Sequence, residues 1–207
     1  MVLKDYYEQR AQEYDSTTYE LLEEDAARRP DLAQLERLIS EQACEAPLDI
    51  ACGTGWLTHL FRGRVTGVDQ SEAMLKIAAA RSPAASFVQA AVPPLPFKDD
   101  EFDLCLTSHF YGHLHRTERE DLVREALRVG RALLVVEQAW KPGLPTALHE
   151  PRRLQDGSVH YVFKRYLTAP GLADELSGEV VLETPSFIAV LVQRPEQPMR
   201  QATTSAA

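Results

Sequence analysis

The run Leu48-Asp49-Ile50-Ala51-Cys52-Gly53-Thr54-Gly55, followed fourteen residues after Gly55 by Asp69, constrains this chain more than any other feature. Leu48 and Ile50 read as a short buried strand. Gly53 and Gly55 mark a turn where the backbone must come close to something. Trp56 to Phe61 read as the start of a helix, and Asp69 ends a second strand. Strand, glycine turn, helix, strand and terminal carboxylate is the arrangement that holds a nucleotide-like ligand at the edge of a parallel sheet.

The spacing narrows the ligand. A dinucleotide turn needs G-x-G-x-x-G, whose third glycine permits close packing of helix on strand. Here Thr58 stands at that third position, behind the bulky Trp56. There is no Gly-Lys-Ser or Gly-Lys-Thr, so no phosphate-cradling loop. The turn is built for a ligand without a pyrophosphate.

Apolar segments at 48–52, 65–69, 86–90, 102–107 and 131–137 read as strands, with helical patterns at 71–81 and 117–129 among them. This alternation predicts an α/β fold with a parallel sheet covered on both faces. Thr117 and Glu120 are spaced as a capping box. Upstream, 4–28 and 31–43 read as helices, the second from Leu32, Leu35, Leu38 and Ile39 behind Pro30. Three prolines make 92–100 a loop. The stretch 141–158 reads as irregular, 159–166 as a strand or ordered loop, and 168–177 as a helix. Segments 179–183 and 187–193 lie too close for a helix between them and read as an antiparallel hairpin. From Pro195 the composition is that of a disordered tail. Residues 1–194 are therefore expected to form one domain.

Composition excludes several functions. The 207 residues carry a net charge of −9, and the basic residues occur at most in pairs, so nucleic acid is not expected as a partner. No apolar run approaches the roughly 18–20 residues of a membrane span. The first residues show no signal-like apolar core, so the cytoplasm is the expected location. Cys44, Cys52 and Cys105 are few and far apart, against a disulfide framework or a zinc knuckle.

From about Tyr6 to Arg194 the chain resembles the class I S-adenosylmethionine-dependent methyltransferases. The resemblance rests on Tyr7-Glu-Gln-Arg-Ala-Gln-Glu-Tyr14-Asp15, the glycine turn, Asp69, the passage Leu95-Pro-Phe97 to Phe102-Asp103, and the terminal hairpin. It implies a Rossmann-like three-layer sandwich around a seven-stranded, mostly parallel sheet with an antiparallel last strand. The implied cofactor is S-adenosyl-L-methionine. Ala51, Gly53 and Gly55 would line its methionine moiety, and Asp69 would hold the ribose. Gln70 and Met74 would lie beside the adenine, Ser108 near the sulfonium, and Tyr14 and Arg10 at the amino-acid end. Residues 1–43 would close over the cofactor. Two positions depart from the family pattern. Ala51 replaces its first glycine, which a negative φ would tolerate. Ala91 replaces an acidic adenine partner, leaving the backbone of Ala91 and Val92, or the Gln89 side chain, to read that edge.

Methyl transfer from a sulfonium is an in-line displacement, so the protein aligns the nucleophile, excludes water and, where needed, removes a proton. The segment Ser108-His109-Phe110-Tyr111-Gly112-His113 follows strand four, where such a group belongs. His109 is the favoured base, with Tyr111 and His113 the other catalytic candidates; His113 also reads as a residue packing against the next helix. No carboxylate completes a ligand set with His109, His113 and His115, so no metal is expected. The 141–166 insertion should carry substrate choice. Glu137, Trp140, His149, Arg152, Arg153, His160, Tyr161 and Tyr166 are expected around the acceptor, a polar or anionic aromatic small molecule. The expected assembly is a monomer or homodimer. The alternative reading is a protein that binds the same cofactor on the same scaffold without transferring methyl, as an isomerase, cyclase or regulatory binder.

Overall fold

The computed structural model describes residues 2–194, and the tail read as disordered lies outside the described residues. Its centre is a seven-stranded sheet in the order β3-β2-β1-β4-β5-β9-β8. The strands are β1 (Pro47–Ile50), β2 (Thr66–Asp69), β3 (Ser86–Gln89), β4 (Leu104–Ser108), β5 (Ala132–Gln138), β8 (Glu179–Glu183) and β9 (Phe187–Gln193). The first five run parallel, and β9 is antiparallel to both of its neighbours, β5 and β8. The sheet is thus mostly parallel with an antiparallel last strand.

Strand β5 shows why the layers form. Its side chains alternate between faces. Leu133 and Val135 pack with Leu122 and Ala126 of α5 (Arg116–Val129) and Leu172 of α6 (Ala169–Leu176). Leu134 and Val136 pack with Leu32, Leu35 and Ile39 of α3 (Arg29–Ser40). All four are at most 1% exposed, so β5 is apolar on both sides, as a central parallel strand must be. Each such side chain contributes about 1.5–3 kcal/mol of burial. Helix α4 (Glu72–Arg81), capped by the Ser71 hydroxyl on the Met74 N–H, lies against β2 and β3.

The structure departs from the sequence expectations in four places. No helix follows the glycine turn; there is a single 3-10 turn, Thr58–Leu60. The link to β2 is too tight for more. Gly63 has φ +91°, and a Cβ there would stand 2.5 Å from the Glu45 carbonyl oxygen. Second, the helix expected over 4–28 breaks into α1 (Val2–Arg10), a 3-10 turn at Ala11–Glu13, and α2 (Tyr19–Glu24). The Ser16 and Thr17 hydroxyls donate to the Glu13 carbonyl at 3.1 and 2.6 Å, competing with the helical ladder. Third, the capping box of α5 is on His115 and Glu118, two residues earlier than expected. Fourth, the stretch read as irregular holds β6 (Ala147–Arg153), paired antiparallel with β7 (Val159–Arg165) in a separate two-stranded sheet. Pro151 hid this strand; in a ribbon with two edges a missing N–H is tolerated. Among the described residues no helix is long and apolar enough to cross a membrane.

Candidate active site

The carboxyl ends of β1, β2 and β4 open into one cleft. Tyr14, Ala51, Gly53, Asp69, Gln70, Met74, Val92 and Ser108 all line it, joined by Tyr7, His109 and Phe110. Asp69 builds its centre. One carboxylate oxygen accepts the Gly53 N–H at 3.0 Å and the other the Ser71 N–H at 2.8 Å. Burial pushes the Asp69 pKa up, while these backbone donors pull it down. Each oxygen keeps a further lone pair for a ligand hydroxyl. Gly53 has φ +55°, and nothing lies within 4 Å of where its Cβ would be, so its backbone is open to close approach. A buried carboxylate beside a bare turn fits a ribose-bearing cofactor without a pyrophosphate.

Ala51 has φ +56°, not the negative value at which an alanine would be tolerated. Asp15 locks α1 and its following turn over the glycine turn. It accepts from the Thr54 hydroxyl at 2.6 Å and from Arg81, which also donates to the Thr54 carbonyl at 2.6 Å. Beneath the turn, Asp49 accepts from the Thr58 hydroxyl at 2.6 Å, and burial pushes its carboxyl up to about 7.

Three expected cofactor residues lie elsewhere. Gly55 is absent from the lining; with φ +72°, a Cβ there would stand 3.0 Å from that of Ala78, so this glycine lets α4 pack on the turn. Ala91 is exposed outside the cleft, at the start of the proline-rich loop. Arg10 faces an adjoining chamber, with its guanidinium 4.7 Å from the Tyr14 ring centroid.

Of the catalytic candidates, only His109 lies in the cleft. It is the residue after β4, at φ +56°, with its N–H donating to the Val136 carbonyl at 2.9 Å. Left-handed backbone at a non-glycine residue is strained, and such strain gathers at functional sites. The residue is half-buried, and its Nε2 is buried without a partner among the described residues. Burial lowers its pKa to about 4, partly opposed by Glu137, so the ring is neutral at pH 7. His113 lines the adjoining chamber instead, with both ring nitrogens engaged. Its Nδ1 lies 2.7 Å from the Phe163 carbonyl and Nε2 3.3 Å from the Tyr7 hydroxyl. A carbonyl only accepts, so the proton belongs on Nδ1 and the Tyr7 hydroxyl donates to Nε2. Burial lowers its pKa to about 3. The Tyr111 hydroxyl donates to Glu175 at 2.8 Å, and Tyr111 does not line the cleft.

The adjoining chamber has a volume of about 200 Å³ and shares Tyr7, Tyr14 and His109 with the cleft. Of the residues expected around the acceptor, Arg152 alone lines it. Glu137 stands behind Lys164 in a 2.7 Å ion pair whose side chains are 1% and 4% exposed, and it also accepts the Gly112 N–H at 2.7 Å. Trp140 donates to the Leu144 carbonyl, His149 packs on Phe163, and Tyr166 donates to Glu150. Arg153 donates to the Gly157 carbonyl, His160 lies 3.2 Å from the Gln9 side chain, and Tyr161 is 65% exposed. Sequence reasoning missed Lys164 and Phe187 in the chamber wall and Asp49 beneath the turn. The signal for Asp49 was available: a lone carboxylate inside an apolar strand needs a buried partner. Among the described residues no three or more His, Cys, Asp or Glu side chains cluster as metal ligands.

Residues 48–132 match the model of a methyltransferase domain family. Over 105 residues the chain is 43% identical to a ubiquinone/menaquinone biosynthesis C-methyltransferase UbiE of Pseudomonas fluorescens, covering 44% of this chain and 40% of that protein. The Ectopseudomonas mendocina protein of the same name is 39% identical over 113 residues, covering 47% and 43%. The chain thus spans about two-fifths of the length of the curated relatives it matches. Among solved structures, the DhpI–SAH complex superposes with a TM-score of 0.73 at 25% identity, covering 93% of this chain and 95% of that one. The fold is shared with a 1,6-didemethyltoxoflavin-N1-methyltransferase of Burkholderia thailandensis, with TM-score 0.63 and 18% identity over 94% and 88% of the chains.

Proposed function

We propose that this chain is a class I S-adenosylmethionine-dependent methyltransferase that transfers the methyl group to a small-molecule acceptor held in the chamber beside the cofactor cleft. The observation that carries this reading is the shared wall. Tyr7, Tyr14 and His109 line both spaces, so a molecule in the chamber lies next to whatever fills the cleft.

S-adenosylmethionine, when bound, supplies a methyl group on a positively charged sulfur. Asp69 would hold the ribose hydroxyls, with Gln70, Met74 and Val92 at the adenine end. Tyr7 and Tyr14, both half-buried, help to exclude water from the junction. Transfer breaks the carbon–sulfur bond and forms one from carbon to the acceptor. Where the acceptor carries a proton, neutral His109, which lines both spaces, is the candidate to receive it. Residues 1–194 would act as one domain. The Asp15 bonds to Thr54 and Arg81 support closure of residues 1–43 over the cofactor. Lys141, Arg152 and Lys164 support the 141–166 insertion as the acceptor-side element.

Two measurements test the reading. Calorimetric titration should show S-adenosylhomocysteine binding and no response to NAD; the reverse sinks it. A labelled-methyl assay over phenols, amines, thiols and carboxylates should find product, and binding without product on any class would favour a non-transferring protein. His109→Gln should cut turnover about a hundredfold if His109 takes the proton, with S-adenosylhomocysteine affinity little changed.

A further inference from the structure

We propose that the acceptor is a small acid, carrying a carboxylate or phosphate group, and that Arg152 selects it. This inference rests on the methyl-transfer reading and names the substrate class of the same site.

The chamber is lined by Arg10, Arg28, Lys141, Arg152 and Lys164, and by no aspartate or glutamate. In a chain with 31 acidic and 22 basic residues, five cations without an acid is the opposite of the average surface. The cofactor cleft beside it has the other sign, with Asp69 in its wall.

Compensation differs among the five. Lys164 is neutralised by Glu137, and Arg28 pairs with Asp25 at 2.7 Å. Arg10 donates to the hydroxyls of Tyr6, Thr17 and Thr18, in part as a prop for the aromatic wall. Arg152 pairs with Glu150 through Nη2. The Tyr166 hydroxyl, which itself donates to Glu150, stands beside the same guanidinium, and the Arg152 side chain is 35% exposed. A guanidinium in the chamber wall, anchored by Glu150 and still partly exposed, is placed to donate to a carboxylate or phosphate. Lys141, which has no carboxylate within ion-pair distance among the described residues, adds a second charge. A neutral acceptor would leave these groups partly desolvated and unanswered, and a cationic one would be repelled. The rings of Tyr6, Tyr7, Tyr14 and Phe187 complete a wall suited to an aromatic or similarly flat body.

The test uses the full chain saturated with S-adenosylhomocysteine, titrated with benzoate, phenyl phosphate and neutral benzamide. At least one anion should bind roughly tenfold or more tighter than benzamide, as expected for a charge-assisted pair. The tighter of the two anions identifies the acid. Arg152→Gln should remove that preference, Arg152→Lys should restore part of it, and both should keep wild-type affinity for S-adenosylhomocysteine. Equal binding of benzamide, no binding of either anion, or unchanged anion affinity in Arg152→Gln overturns the proposal. Failure of the wild-type chain to bind S-adenosylhomocysteine overturns the methyl-transfer reading, and this inference with it. Normal cofactor binding without anion preference overturns this inference alone.

Discussion

Ala51→Gly should stabilise the protein, and the structure gives the size of the effect. Ala51 sits at φ +56° in the turn after β1. A left-handed conformation costs an L-residue roughly 1–2 kcal/mol. Glycine adopts it freely, but its unfolded chain gains entropy that costs about 0.4–1 kcal/mol of stability. The lost methyl is half-buried and removes at most about half of the ~0.8 kcal/mol of a buried carbon. The net gain is about 0.5 kcal/mol, or a rise of ~1–2 °C in Tm for a domain of this size. Urea unfolding should show a higher midpoint at constant slope, and the widened cleft should bind S-adenosylhomocysteine at least as well. Gly53→Ala is the mirror control. Its φ is +55° and its would-be Cβ meets nothing, so backbone strain alone should make it less stable, by about 0.5–1 kcal/mol. Destabilisation of Ala51→Gly by more than about 0.5 kcal/mol would refute the strain argument.

Asp69→Ala should weaken S-adenosylhomocysteine binding by about 2–4 kcal/mol in calorimetry, from the loss of charge-assisted bonds to ligand hydroxyls and of the Gly53 anchor; affinity within threefold of wild type would remove Asp69 from the site. Burial raises the folded pKa of Asp49 to about 7, above its unfolded value of 3.8. Wild-type stability should therefore fall as pH rises from about 4 through 7, by at most about 4 kcal/mol. Asp49→Asn should flatten that slope in denaturant titrations at several pH values. Lys164→Met strands Glu137 at 1% exposure and should cost about 3–5 kcal/mol, while Lys164→Met with Glu137→Leu should recover most of it; equal losses in single and double variants would contradict this.

The sheet was legible because its signals are local. Buried strands such as Leu133 to Val136 read as apolar runs, and the short spacing of β8 and β9 leaves room only for a hairpin. The cleft was legible because Ala51, Gly53, Asp69 and Ser108 are strand-end residues, placed once the strands are placed. What escaped depends on long-range contact. The break in the N-terminal helix comes from hydroxyls of Ser16 and Thr17 that are compatible with a helix elsewhere. Tyr111 and His109 are two residues apart in one segment, yet Glu175 draws the Tyr111 hydroxyl to a different surface. Lys164 lies in the stretch read as a strand or ordered loop, and only its Glu137 partner, 27 residues away, explains its burial.

Thr58 shows how one residue carries both lessons. In the sequence it occupies the third-glycine position and thereby argues against a pyrophosphate ligand. In the structure the close packing that a third glycine provides is supplied by Gly55, whose missing Cβ admits Ala78 of α4. Thr58 is then free for another task, and its hydroxyl satisfies the buried Asp49. That bond ties the 3-10 turn to β1 across the glycine turn, so the turn holds its shape without a full helix behind it. The link from β1 to β2 can therefore stay short, and α3 covers that face of the sheet with Leu57 and Phe61 beside it. The shortened link and the lost glycine are one structural solution, in which a buried hydroxyl–carboxyl pair replaces a helix as the support of the cofactor turn.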